Sequence, residues 1–240
     1  MRKLFRTCYS CFCAFLSLSI ITATDARGQT YVGVELVLAV DTSISVSETE
    51  YRLQMAGISN ALRSPDILDL IADHPGGVAM TLVHWSIGSL NKQAVEWRHL
   101  ETAASVFDFA TAVEQSPRRS AGRGTSISDA LVFSTRLLNT NTFVGEVRKI
   151  DISGDSRHNS GPSPHSARDD AVLLGITING LVIEDGDRNL GRYFQNRVIG
   201  GDGSFVMSIQ RNGDFADAMR RKLARELRLV ASLDVKDAPE

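Results

Sequence analysis

Five consecutive apolar residues, Leu36-Val37-Leu38-Ala39-Val40, carry no polar alternation. A strand of this kind has no face to offer to water, so it belongs inside a sheet covered on both sides. The run ends at Asp41-Thr42-Ser43-Ile44-Ser45. A carboxylate and two hydroxyls therefore leave the end of a buried strand together, where their oxygens suit a hard cation.

The chain then alternates between two periods. Ser47, followed by Glu48 and Glu50, precedes Tyr51, Met55, Ile58 and Leu62 at helical spacing, which predicts a capped amphipathic helix. Gly76-Gly77 opens a strand over Val78–Trp85, with a hairpin partner over residues 93–97. Helices are expected over residues 103–113 and 126–138, separated by a basic, glycine-containing loop over 116–124. Strands over 147–153, Ile176–Ile183 and 204–209 alternate with helices over 166–174 and 190–198. Phe215, Met219, Leu223, Leu227 and Val230 form the apolar stripe of a last helix. This order predicts an α/β fold: a doubly wound, mostly parallel sheet with helices on both faces.

A chain of 240 residues with 43% hydrophobic and 22% charged side chains fits one globular domain, expected at residues 31–233 with a tail over 234–240. Residues 1–26 read as a secretory signal peptide: Arg2, Lys3 and Arg6 precede an apolar, small-residue stretch, and Ala23 or Ala26 offers a cleavage point. The stretch is short for a span and nothing later is long enough, so no stable membrane span is expected after cleavage, and the location is periplasmic or secreted. Cys8, Cys11 and Cys13 are the only cysteines, so cleavage leaves none for a disulfide framework. Cleavage removes three bases and one acid from a chain whose formal net charge is −2. An acidic mature protein does not favour nucleic acid as a partner.

In open α/β sheets ligands gather at the carboxyl ends of the strands. Two further segments bring oxygen donors to that edge: Gly122-Arg123-Gly124-Thr125-Ser126, entering a helix, and Ser153-Gly154-Asp155-Ser156, leaving a strand. With the Asp41 segment they resemble the metal-ion-dependent adhesion site of von Willebrand factor A domains, over roughly residues 32–230 in element order. The resemblance implies that Ser43, Ser45 and Thr125 ligate a cation through hydroxyls, while Asp41 and Asp155 act largely through bound waters. It implies Mg²⁺, or Mn²⁺ or Ca²⁺, as cofactor. The family usually has Asp-Gly in the third segment, where this chain has Asp155-Ser156. More narrowly, Ile152-Ser153-Gly154-Asp155, Ile178-Asn179-Gly180-Leu181 and Val198-Ile199-Gly200-Gly201 resemble an uncharacterised bacterial family of exported proteins with such a domain. A site of neutral hydroxyls with few carboxylates leaves Mg²⁺ electrophilic, so an acidic group on a protein partner would complete its shell.

Other motifs fail on spacing. Asp185-Gly186-Asp187-Arg188-Asn189 begins like a calcium loop, but Leu190 and Asn196 stand where a glycine and a glutamate are needed. Gly122-Arg123-Gly124 lacks the last glycine of a dinucleotide fingerprint and the lysine of a P-loop. An alternative from another class is a serine hydrolase with Ser156 as nucleophile and His158 as base, although side chains two apart in a loop rarely meet as that chemistry requires. His158 and His165 with Asp155 are a candidate transition-metal set, but without zinc-motif spacing they read as surface histidines. Arg118, Arg119 and Arg123 read as a solvated loop, and Arg220, Arg221, Lys222, Arg225 and Arg228 as the solvated face of the last helix. The expectation is an exported, non-catalytic protein-binding module.

Overall fold

The computed structural model describes residues 28–118, 122–210 and 214–228. The expected signal peptide and the tail, together with Arg119 and Val230, lie outside the described residues. Within them, six strands and seven α-helices follow the order β1(Thr30–Asp41), α1(Glu48–Leu62), α2(Pro65–Asp73), β2(Val78–Trp85), β3(Lys92–Leu100), α3(Ala103–Glu114), α4(Ile127–Thr140), β4(Phe143–Gly154), α5(Pro164–Leu173), β5(Ile176–Ile183), α6(Leu190–Arg197), β6(Val206–Ile209) and α7(Phe215–Glu226). The strands form one sheet in the order β3-β2-β1-β4-β5-β6, and only the β2–β3 hairpin pairs antiparallel. The fold is the α/β architecture that the alternating pattern predicts.

β1 is central, which explains its unbroken apolar run. Val34, Leu36, Leu38 and Val40 face one core with α1, α2, α3 and α7, while Val37 and Ala39 face a second core with α4, α5 and α6. Burying one such side chain contributes about 1.5–3 kcal/mol, so both faces of β1 hold the sheet between its helices. Its one buried acid before the site, Glu35, accepts from Gly145 N at 2.6 Å and from Asn141 Nδ2 at 2.7 Å. These bonds satisfy the carboxylate and tie β1 to β4.

The structure extends or adds some expected elements. β4 begins at Phe143, four residues before the expected strand, because it keeps pairing with β1 back to Thr30. The helix α2 was not expected from the sequence: it follows Ser64 with Pro65 in its first turn and buries only Ile67 and Ile71. Lys222 is a correction, since it is fully buried instead of lying on the solvated face of α7. Its Nζ lies 2.6 Å from both Asp151 Oδ1 and Glu226 Oε1, and Asn179 Nδ2 donates to the same Glu226 oxygen at 2.8 Å. No helix among the described residues is long and apolar enough to cross a membrane.

Candidate metal centre

Strand register brings the first and third segments together. Val40 pairs with Ser153, and Asp41 pairs on its other side with Trp85, so the ends of β1 and β4 stand level. Gly154 makes room there: a Cβ would sit 3.4 Å from Asp41 Oδ2 and 3.3 Å from Trp85 Cζ2. Beyond β1 the backbone turns at once. Ser43 N donates to Asp41 Oδ1 at 2.7 Å, Thr42 N donates to the Trp85 carbonyl at 2.8 Å, and the Ser47 capping box starts α1.

Four of the five expected ligands form one chain of hydrogen bonds. Asp41 Oδ1 holds Ser43 N; Ser43 Oγ lies 3.0 Å from Ser45 Oγ; Ser45 Oγ donates to Asp155 Oδ1 at 2.9 Å. The fifth, Thr125, is joined to them through its backbone. Thr125 N donates to Asn159 Oδ1 at 2.8 Å and Asn159 N to the Thr125 carbonyl at 2.9 Å, which ties its loop to the segment after Asp155. Ile44 N donates to the Gly122 carbonyl at 3.0 Å, which ties the same loop to the first segment. Ser156, where glycine is usual, donates to Asp155 Oδ1 at 2.8 Å and helps to hold that carboxylate.

The electrostatics of the site centre on Asp41. Asp41 is buried, with 1% of its surface exposed, and its Oδ2 has no hydrogen-bond partner. Burial, and after it the charge of Asp155, push the Asp41 carboxyl up to about 7, while the bonds from Ser43 and the charge of Arg118 pull it down. A buried carboxylate oxygen without a partner costs on the order of 1–3 kcal/mol or more. A divalent cation beside the two carboxylates and these hydroxyls would offset that cost, and this donor chemistry is the hard-oxygen set that Mg²⁺ prefers. The residues present therefore fit such an ion.

The remaining candidate groups have partners of their own, and the solvated reading of Arg118 is corrected. Ser156 and His158 do not form a dyad: the serine hydroxyl is bonded to Asp155, and His158 Nε2 donates to the Gly161 carbonyl at 3.2 Å. His165 accepts from Arg197 Nη1 at 2.7 Å, and no group of three or more His, Cys, Asp or Glu side chains among the described residues is placed to hold a metal. Asp187 Oδ1 accepts from Asn189 N at 2.9 Å, so that segment is a turn. Arg118 is no free loop charge, because its Nη2 donates to the Ser43 carbonyl at 2.9 Å and braces the first segment. The sequence reading missed Asn159 and the bracing role of Arg118, since both act across long separations in the chain.

A family model matches residues 31–231, described as "Protein of unknown function (DUF1194)". The chain belongs to this family. A search of curated proteins finds no match. Among solved structures, this DUF1194 domain is similar to proximal thread matrix protein 1 of the mussel byssus, with a TM-score of 0.62, 17% identity, and 83% of this chain and 49% of that chain covered. One structure of that mussel protein has a zinc-occupied MIDAS motif. The vWF domain of the type V pili tip protein Mfa5 from Porphyromonas gingivalis matches with a TM-score of 0.56 and 12% identity over 82% of this chain and 95% of that chain. A von Willebrand factor type A structure from Catenulispora acidiphila matches with 0.56 and 15%, covering 81% and 42%. The DUF1194 domain thus has a von Willebrand A-like fold, and it spans about half the length of the mussel protein.

Proposed function

We propose that this protein is an exported, non-catalytic binding module that engages a partner protein through a divalent cation held by Asp41, Ser43, Ser45, Thr125 and Asp155. The observation that carries the reading is the buried, unpartnered Oδ2 of Asp41 beside a hydroxyl chain that ends on Asp155. When bound, the cation supplies an electrophilic coordination position to which a carboxylate of the partner can bind. The chain's own residues prepare that position. Ser45 and Ser156 orient Asp155, Arg118 braces the Ser43 carbonyl, and the end of β1 keeps Asp41 out of water.

The similarity to a pili tip domain and to a protein with a metal-occupied adhesion motif supports an adhesion-type role. Mg²⁺ is the proposed ion, with Mn²⁺ or Ca²⁺ as substitutes, and the signal-like residues 1–26 support a periplasmic or secreted location. A pull-down from the native envelope tests the role. The expected result is a protein retained with Mg²⁺ and lost both with chelator and with the Asp41→Ala variant. Retention indifferent to chelator and to that variant contradicts it.

A further inference from the structure

A cavity of about 610 Å³ opens between the start of α5 and α6, on the same sheet edge as the metal centre. Its wall holds the guanidinium groups of Arg157, Arg192 and Arg197, the imidazoles of His158 and His165, and no carboxylate among the described residues. Arg157 is the link to the metal centre, since it follows Asp155 by two residues.

These groups are unequally engaged. Arg157 is pinned: Nε donates to Asp187 Oδ2 at 2.5 Å, and its guanidinium lies 5.4 Å from the centroid of the Tyr193 ring. Arg197 Nη1 donates to His165 Nε2 at 2.7 Å. Both Arg192 and Arg197 are exposed, and neither has an acidic partner among the described residues. The Nδ1 of His158 is buried with no partner. The first turn of α5 adds to this field, because it carries no acidic residue and its N-cap Ser163 makes no side-chain cap bond.

Guanidinium forks match carboxylates in shape as well as charge, and two without an acidic partner in a concave wall favour a ligand with several carboxylates. Arg157, two residues after Asp155, joins the cavity wall to the metal centre, so a partner segment whose acidic side chain reaches the cation can extend into the cavity. We propose that the cavity is a second subsite for the same partner and takes further acidic side chains of the segment whose first carboxylate reaches the cation. This rests on the cation-dependent binding proposed above. It assigns the partner a chemistry: an acidic peptide segment, not an isolated acidic residue.

The test uses a fluorescent tetraglutamate peptide with the purified protein, followed by anisotropy in Mg²⁺ and in EDTA, with tetraglutamine as the uncharged control. Wild type is expected to bind tetraglutamate in Mg²⁺ and more weakly in EDTA. Combined Arg192→Ala and Arg197→Ala should weaken binding at least tenfold in Mg²⁺ and remove what remains in EDTA, with Mg²⁺ affinity by calorimetry unchanged. Arg192→Glu alone should also weaken it. Equal binding of tetraglutamate by wild type and the double variant overturns the subsite, as does equal binding of tetraglutamine. If Mg²⁺ itself does not bind, the metal reading fails, while arginine-dependent binding in EDTA still supports the cavity as an acidic-peptide site.

Discussion

Ser45 is the residue on which the candidate centre turns, because its hydroxyl contacts Ser43 and donates to Asp155, linking two loops 110 residues apart. Ser45→Ala should lower Mg²⁺ affinity by at least tenfold, about 1.4 kcal/mol. Ser156→Ala removes only one of two donors to the same carboxylate oxygen, so the expected loss is a few-fold, about 0.5–1 kcal/mol. Calorimetric titration of both variants checks the order, and a larger loss at Ser156 contradicts the bonding described. Asp41, Ser43 and Ser45 were legible because alternate polar residues at the end of an apolar run are a local signal. Asn159 and Arg118 were not, because their bonds span 34 and 75 residues and leave no spacing to read.

At the scale of elements, α7 is held to the sheet by a buried charge cluster. Lys222 lies between Asp151 of β4 and Glu226 one turn further along the helix, and Lys149 Nζ donates to the Glu226 carbonyl. Removing the cation alone, Lys222→Met, strands two buried carboxylates and should cost about 3–5 kcal/mol in urea unfolding, whereas adding Asp151→Asn and Glu226→Gln should recover much of that loss. Burial, and after it the charge of Glu226, push the Asp151 carboxyl up to about 7 despite Lys222. A raised acid binds its proton more tightly in the folded state than in the unfolded one. Its contribution to stability is therefore full below the ordinary value of 3.8 and is lost as pH rises through about 7. Unfolding of wild type against Asp151→Asn should show wild type losing ground between pH 4 and 7, by no more than about 1.4 kcal/mol per pH unit; a difference independent of pH contradicts it. The sequence did not reveal this cluster, since a charged residue on a helix ordinarily reads as solvated. It did reveal β2 and β5 with their observed bounds, because both are bounded apolar runs. The short helix α2 buries two residues and leaves too small a stripe to read.

For the whole molecule, the sheet separates two cores and carries the candidate site on the edge where β1 and β4 end. Alternation of strand and helix made that architecture legible, and a parallel sheet places its strand-end loops on one edge. A ligand of the folded state alone stabilises it by mass action, so Mg²⁺ at a hundredfold excess over its Kd should add about 2.7 kcal/mol. Thermal unfolding of wild type should shift upward with Mg²⁺ and that of Asp41→Ala should not; equal shifts point to binding elsewhere. Asp41→Ala loses the bond from Ser43 N, at a cost of about 1–3 kcal/mol, but it also removes a buried carboxylate whose Oδ2 has no partner, so the variant is expected to stay folded. The most direct measurement is calorimetric titration of Mg²⁺ into wild type and Asp41→Ala. The account predicts saturable binding at one site per chain in wild type and none in the variant. A wild type that binds no Mg²⁺, or a variant that binds it equally, contradicts the metal centre.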